Sequence, residues 1–545
     1  MNKKYIVGGL IFWAGLSGYM GLRILESYTE DAVFAALSAV PAQAQEIRYS
    51  FLNNTLRLKG VEYELPDKKI MHKGTIESVE VTGFNRKCMF VKPNMPAYDP
   101  DALPIVAESV TATGIVDNVH VGHTRMEQRV ERVELRGWYQ RLGMLLDQHN
   151  QHSGEASFFE ELYRCRLDGL ELDKVTSVIS EPETVPVTFA AAKAMLSEGI
   201  RAPRGTDRVS PVSLRLSGLS ISGRNFSGGL QQLDLNGLLL LEPADMAEFL
   251  RLNRELDAAV SKDADDDAAE TLLDGMFEIL AKHGQDRRPL SGLAMQGGSF
   301  AVRDRLPGGG LGDVVLNMAL KSLNCTMGMT PDGEFRDDVT LSGLNVSFPS
   351  PGRFRDIFSR YAPDGLTLNG TSSTVAGDDV LSARTRYEME GLGELEGELD
   401  LTGDIRSLRT LALADSPEER LDELMQSVRL RRLNLDYRDS GLVPLAVELM
   451  ACWGFDTPEE TLNNAVALLT MLGQTPERPV REMCRALMEQ LVTPGELIVT
   501  VAPEQPMNVM EALSLASVDP DALPVTFTSK PGAKALKDYF PGEGK

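Results

Sequence analysis

Four of the six histidines fall into two His-x-x-His pairs, His120/His123 and His149/His152, the spacing in this chain that comes nearest to metal chemistry. On a strand a separation of three puts the first pair on opposite faces. On a helix His149 and His152 would share a face. No nearby cysteine or carboxylate pattern completes either set, so exposed loop histidines are the reading and no metal is expected. Asp263, Asp265 and Asp267 imitate the opening of a calcium loop, but Ala268 stands where that loop needs glycine and Asp274 where it needs glutamate. Cys88, Cys165, Cys325, Cys452 and Cys484 contain no Cys-x-x-Cys pair, which excludes zinc ribbons and thioredoxin-type redox motifs. Cys452 and Cys484 fall on adjacent helical segments, compatible with a disulfide or with two buried thiols. Gly308-Gly309-Gly310-Leu311-Gly312 lacks dinucleotide-binding spacing, and no phosphate-loop, nucleophile-elbow or zincin motif occurs. Paired acids such as Glu160/Glu161 read as a solvated face. No catalytic residue and no cofactor is assigned.

The chain carries 79 acidic and 55 basic side chains, a net charge of −24. That field repels phosphate backbones and argues against nucleic acid as a partner. A 43% share of hydrophobic residues is ample for a large core.

Tyr5 to Leu22 is an uncharged run of 18 residues, which as a helix rises about 27 Å, close to the hydrocarbon thickness of a bilayer. Arg23 can snorkel, and Ile24 and Leu25 extend the span. Lys3 and Lys4 precede it, and Glu26, Glu30 and Asp31 follow. The expectation is a retained anchor over residues 5–25, with the N-terminus cytoplasmic and the body outside. Ala42-Gln43-Ala44 resembles a cleavage triplet but lies too far beyond the apolar run for a signal peptide. A short helix is expected from Tyr28 to Val40, stopped by Pro41.

Beyond the anchor the period becomes two, with a repeated irregularity. Leu56 and Leu58 alternate with polar residues, then the apolar series slips by one at Gly60 and continues at Val61 and Tyr63. The same slip recurs at Gly83, Gly137, Gly169, Gly218, Gly237, Gly292, Gly343 and Gly391. An uncompensated slip sends all later side chains to the wrong face. A β-bulge or sharp bend at each glycine is therefore expected, glycine being the residue that tolerates positive φ.

A basic start, one span, a short helix and strands of the type Leu-Arg-Leu-Lys-Gly-Val-Glu-Tyr (56–63) resemble the AsmA-like and YdgA-like single-span envelope proteins. The resemblance covers the anchor and the strand style of 46–440. It implies a role in maintaining the bacterial envelope, with the body in the periplasm and lipid carried along a curved sheet. It assigns no functional residue.

Helical patterning interrupts the strands. Pro243 to about Val260 and Thr271–Lys282 read as a helical hairpin. Thr457-Pro458-Glu459-Glu460 is a capping box opening a helix to about Leu472, and Pro479–Leu491 reads as another. Glu496–Val501 and Val525–Thr528 read as strands flanking a helix over Met507–Ala516. The expected fold is mainly β (α+β). Its parts are the anchor and juxtamembrane helix (1–45), an elongated antiparallel β-rich domain (46–241), the helical hairpin (242–288), a second β-rich region (289–440) and a C-terminal α+β module (441–545). The expected function is a non-enzymatic envelope protein that binds lipid or another envelope component. A protein–protein scaffold, or an enzyme whose site is assembled from scattered residues, are the alternatives.

Overall fold

The computed structural model describes residues 23, 26–35, 37–38, 42–67, 70–85, 105–121, 124–139, 166–181, 185–197, 212–238, 291–305, 311–330, 334–405, 426–454 and 457–540, with isolated positions between 245 and 279. Of the expected anchor only Arg23 is among them. Among the described residues no helix is long and apolar enough to cross a membrane. His123, His149, His152, Cys88, Cys165 and the acidic 263–267 stretch also lie outside them.

The fold is mainly β, with every registered strand pair antiparallel. The chain forms two compact units, Met1–Arg224 with Asp234–Arg251, and Asn225–Leu233 with Leu252–Lys545. In the first, β1 (Ala42–Ser50), β2 (Thr55–Asp67), β3 (Ile70–Thr82), β4 (Ile105–Val121), β5 (Thr124–Tyr139), β6 (Arg166–Ser180), β7 (Val187–Ser197) and β8 (Val212–Ser222) each pair with the next. β9 (Phe226–Leu238) contributes residues to both units. The second holds β10 (Gly292–Arg305), β11 (Leu311–Met329), β12 (Phe335–Ser347), β13 (Leu366–Ala376), β14 (Val380–Met389), β15 (Gly393–Thr402), β16 (Arg429–Asp439), β17 (Glu496–Val501), β18 (Met507–Asn508) and β19 (Val525–Lys530). Its helices described in full are α1 (Arg353–Tyr361), α2 (Leu442–Gly454), α3 (Pro458–Leu472), α4 (Arg478–Val492) and α5 (Val509–Val518).

Residue 441 is not a break in the sheet. β16 pairs directly with β17, and β17 with β19, so the C-terminal helices are insertions between strands of one ladder. α3 opens with the expected capping box, Thr457 and Glu460 each accepting from the other's backbone N–H. The described residues between 245 and 279 are helical. Gly275 faces Leu252, whose Cδ1 stands 3.2 Å from where a Cβ would be.

Seven of the nine motif glycines have positive φ: Gly60, Gly83, Gly137, Gly218, Gly237, Gly343 and Gly391, between 57° and 73°. Their setting differs from a row of bulges. Lys59 pairs with Glu46 and Ser78, and Val61 with Ala44 and Ile76, so the register is unchanged across Gly60. Gly60 instead faces Gln45 on one side and Glu77 on the other. Followed outward, these registers trace a seam through the first unit: Gln45, Gly60, Glu77, Gly114, Glu131, Lys174, Ala192, Gly218. Every second strand supplies a positive-φ residue: Gly60 (57°), Gly114 (62°), Lys174 (50°) and Gly218 (59°).

The slip needs no extra residue because all strands reset at the same level. The result is visible on β2, where Leu56, Leu58 and Val61 are buried while Arg57, Lys59 and Glu62 are exposed. Six residues away on β3 to β6, about 20 Å along the strands, a second seam runs Gly83, Glu108, Gly137, Asp168. The second unit repeats the first seam through Gly297, Lys321 and Gly343. Among the described registers, a bulge at a motif glycine appears there. The β12–β13 register shifts between Leu341 and Leu344, and the Gly343 N–H donates to Asn369 Oδ1 at 2.8 Å.

Gly169 and Gly292 depart from the expectation and have ordinary φ. The slip between Leu167 and Leu170 is real, but the positive φ it requires lies across the ladder at Gly137. Gly292 pairs regularly with Thr326, and the seam residue of its strand is Gly297. Gly391 is a hairpin turn, with the Leu392 N–H donating to Met389 O at 2.9 Å.

Candidate functional site: a half-covered apolar sheet face

The seams keep one face of the first unit apolar on both sides of each slip. Leu56, Val81, Val110, Leu135, Leu170, Leu196 and Leu214 form one row across seven strands. Leu58, Val79, Ala112, Val133, Leu172, Ala194 and Leu216 form the next. Beyond the first seam, Val61, Ile76, Ile115, Val130, Val175 and Ala191 form a third. No polar residue interrupts any of these rows.

Cover over this face is uneven. The N-terminal helix, described over residues 26–35 and 37–38, sets Val33 and Leu37 onto Tyr49, Leu56, Leu58, Val61, Val81 and Phe84, making a closed core at one end. Glu30 and Glu26 of that helix accept the Tyr49 and Phe51 backbone N–H groups at 2.7 and 2.9 Å. From β5 onward Leu167 is the one buried hydrophobic side chain among the described strand residues of this unit. Leu170, Leu172, Leu196, Leu214 and Leu216 stay half-buried, and Phe189 is exposed.

In the second unit the two faces of the sheet differ sharply. One carries an ion-pair lattice: Arg386 meets Glu394 and Glu396, Arg384 and Arg432 meet Glu398, and Arg438 meets Glu394 and Glu496. The other carries the row Leu341, Gly370, Tyr387, Leu395, Tyr437, Leu497. A side chain at Gly370 would run into the ring of Tyr387, so that ring lies flat over its cross-strand glycine. Two clusters plug the ends of these strands, one of Ile357, Ala362, Leu392 and Leu445, the other of Phe335, Ala376 and Ile405. Between the plugs Tyr387, Leu395 and Leu435 are 38%, 38% and 36% exposed. Large apolar side chains left at this level on one sheet face are the informative feature.

The titratable groups with displaced pKa do not converge on a reaction centre. Tyr63, Tyr361 and Tyr437 are pushed well up, chiefly by burial and then by a neighbouring carboxylate, Asp117, Glu448 and Asp439 respectively. They are phenols held protonated. Glu448 is buried between α1 and α2, where it accepts from Tyr361 Oη at 2.7 Å and pairs with Arg360. Among the described residues no group of three or more His, Cys, Asp or Glu side chains is placed to hold a metal ion.

Cys452 and Cys484 are free thiols in the structure. Cys452 on α2 packs with the Leu392–Leu445 cluster, whereas Cys484 is fully buried on α4. α3 packs against both helices. Sequence reasoning missed Gly114, Lys174 and Gly297. The signal was present in Val110-x-Ala112-x-Gly114-Ile115 and Leu293-x-Met295-x-Gly297, and in Leu170-x-Leu172-x-Lys174-Val175 with lysine in the glycine position.

A second exposed apolar feature lies on the helices. Phe354 of α1 and Trp453 of α2 contact each other with ring centroids 6.4 Å apart. Trp453 is 69% exposed, and Met450 one turn earlier is also exposed.

A family model described as "Uncharacterized protein" matches residues 386–530, from within β14 to the end of β19. The comparison with curated proteins returned no match.

Proposed function

We propose that this chain is a non-enzymatic, membrane-anchored envelope protein that holds lipid acyl chains along the apolar face of its sheet. The carrying observation is the set of uninterrupted apolar rows, closed at one end by the N-terminal helix and left half-covered from β5 onward. An alkyl chain lying across strands along these three rows gains contact with each and asks for no polar partner, and the rows offer none. The resemblance to AsmA-like and YdgA-like proteins supports the same reading, with the anchor at 5–25 in a bacterial inner membrane and the body in the periplasm. Mass spectrometry of lipids that co-purify with the detergent-solubilised full chain tests it. Stoichiometric phospholipid retained through delipidating washes is expected, and a lipid-free, stable protein defeats it. A reporter active only outside the cytoplasm, fused after Lys545, tests the orientation.

The exposed Phe354, Met450 and Trp453 patch favours a second reading, a scaffold that docks a partner protein on its C-terminal helices. Substitution of Trp453 that dissociates a native complex without changing lipid content would select it.

A further inference from the structure

The tip of the β1–β2 hairpin carries a leucine exposed to solvent. Leu52 is 81% exposed, in a turn whose other tip residues are Asn53 and Asn54. Two hydrogen bonds fix where that tip lies. Tyr49 N–H donates to Glu30 and Phe51 N–H to Glu26, so β1 runs alongside the N-terminal helix toward its start. Glu30 to Glu26 is a descent of about 6 Å on a helix, and Tyr49 to Phe51 is about 6.6 Å on a strand. The two advance in step. Leu52 follows Phe51 in the turn, next to the level of Glu26.

That is the level at which the expected anchor, residues 5–25, ends in the sequence. We infer that Leu52 is a membrane contact, inserting at the surface of the lipid bilayer that holds residues 5–25. The inference rests on the anchor reading and adds to it a second, non-helical contact that fixes how the body is turned on its anchor. The charges at the tip suit this position. Glu26 is engaged with the Phe51 N–H and with Arg23 at 3.2 Å, and Glu30 with the Tyr49 N–H, so both carboxylates are spent inside the protein. Arg23, 63% exposed, stands where a guanidinium meets lipid phosphates. An apolar side chain of this size gains by leaving water for the acyl boundary, as on other interfacial elements.

The test uses the full chain in vesicles of phosphatidylethanolamine and phosphatidylglycerol, with a photo-crosslinking residue introduced as Leu52→p-benzoylphenylalanine. The same substitution at Glu62, an exposed position further along β2, is the control. Circular dichroism identical to the parent shows that both variants fold. A phospholipid adduct at 52 and none at 62 is the expected result. A chain that resists alkaline carbonate extraction yet gives no adduct at 52 above the control overturns the inference and leaves the anchor standing. A chain released by carbonate overturns both.

Discussion

Lys174 stands at φ 50° directly across the seam from Glu131, and its ammonium closes a 2.6 Å ion pair with that carboxylate. It occupies the place that glycine holds on β2, β4 and β8. The pair raises the lysine's pKa, through the hydrogen bond first and the opposite charge second. A β-carbon is therefore tolerated at this one of the four positive-φ positions of the seam, where the side chain leaves the sheet toward solvent.

The contrast predicts a stability series. Gly114 has φ 62°, and an added Cβ would lie 2.8 Å from Glu77 Cβ. Gly114→Ala should cost about 1–2 kcal/mol or more in backbone strain. Gly169 has ordinary φ and meets the movable guanidinium of Arg136 at 3.1 Å, so Gly169→Ala should be near neutral. Lys174→Ala should cost less than Gly114→Ala. Denaturant midpoints of the three variants check the order, and equal effects at 114 and 169 would refute the seam.

How much of this was legible follows from the same residues. The slip at Gly60 was readable because leucine, valine and tyrosine advertise the buried face on both sides. Its cause was not, since a register is a relation between strands and the sequence shows one strand at a time. Gly169 shows the limit, because its slip is real while the strained backbone sits across the ladder on Gly137. Gly297 escaped notice because Gly298 follows it where an apolar residue was looked for. The C-terminal helices were legible to within a residue or two where local signals are dense, as at the Thr457 capping box. That β16 pairs with β17 across three intervening helices was not, as nothing local encodes it. For the half-covered apolar face, the rows were readable but their lack of cover was not.

The buried Glu448 predicts an asymmetry. Its side chain is 2% exposed, whereas its partner Arg360 is 39% exposed and can be rehydrated. Arg360→Ala leaves a buried carboxylate with the Tyr361 hydroxyl alone and should cost about 3 kcal/mol. Glu448→Gln keeps an acceptor for Tyr361 and frees an arginine that reaches water, for about 1 kcal/mol. Chemical unfolding of both variants measures the order, and a larger loss for Glu448→Gln would contradict it.

Alkaline pH should destabilise the fold through its buried phenols. Tyr63, Tyr361 and Tyr437 have folded-state pKa values raised above the unfolded value of about 10. The unfolded chain thus releases these protons first, and stability that is fully present below pH about 10 is lost as pH rises beyond it. Tyr437→Phe removes one such group and should flatten the fall. Unfolding midpoints from pH 8 to 11 for both proteins decide the point. Parallel curves would mean that Tyr437 does not carry the effect.

The apolar strip between the two plugs of the second unit makes the sharpest prediction for lipid binding. Leu395 and Leu435 occupy neighbouring rows on β15 and β16, and each is more than a third exposed. An aspartate at either site can reach solvent in the empty protein, so the fold should lose little. With an acyl chain lying over them the same carboxylate would be dehydrated. The leucine contact, about 1.5–3 kcal/mol for a fully buried side chain, would also be gone. At 1.4 kcal/mol per decade, Leu395→Asp or Leu435→Asp should weaken binding of a fluorescent fatty acid by about tenfold or more. Glu396 points to the charged face, where it meets Arg386 at 3.6 Å. Glu396→Gln should therefore leave binding unchanged. Fluorescence titration of the three variants, each with an unfolding midpoint close to the parent's, makes the comparison. If the aspartate variants bind as the parent does, this strip is not where the acyl chain lies. If all three weaken alike, the loss is general and not one of the apolar face.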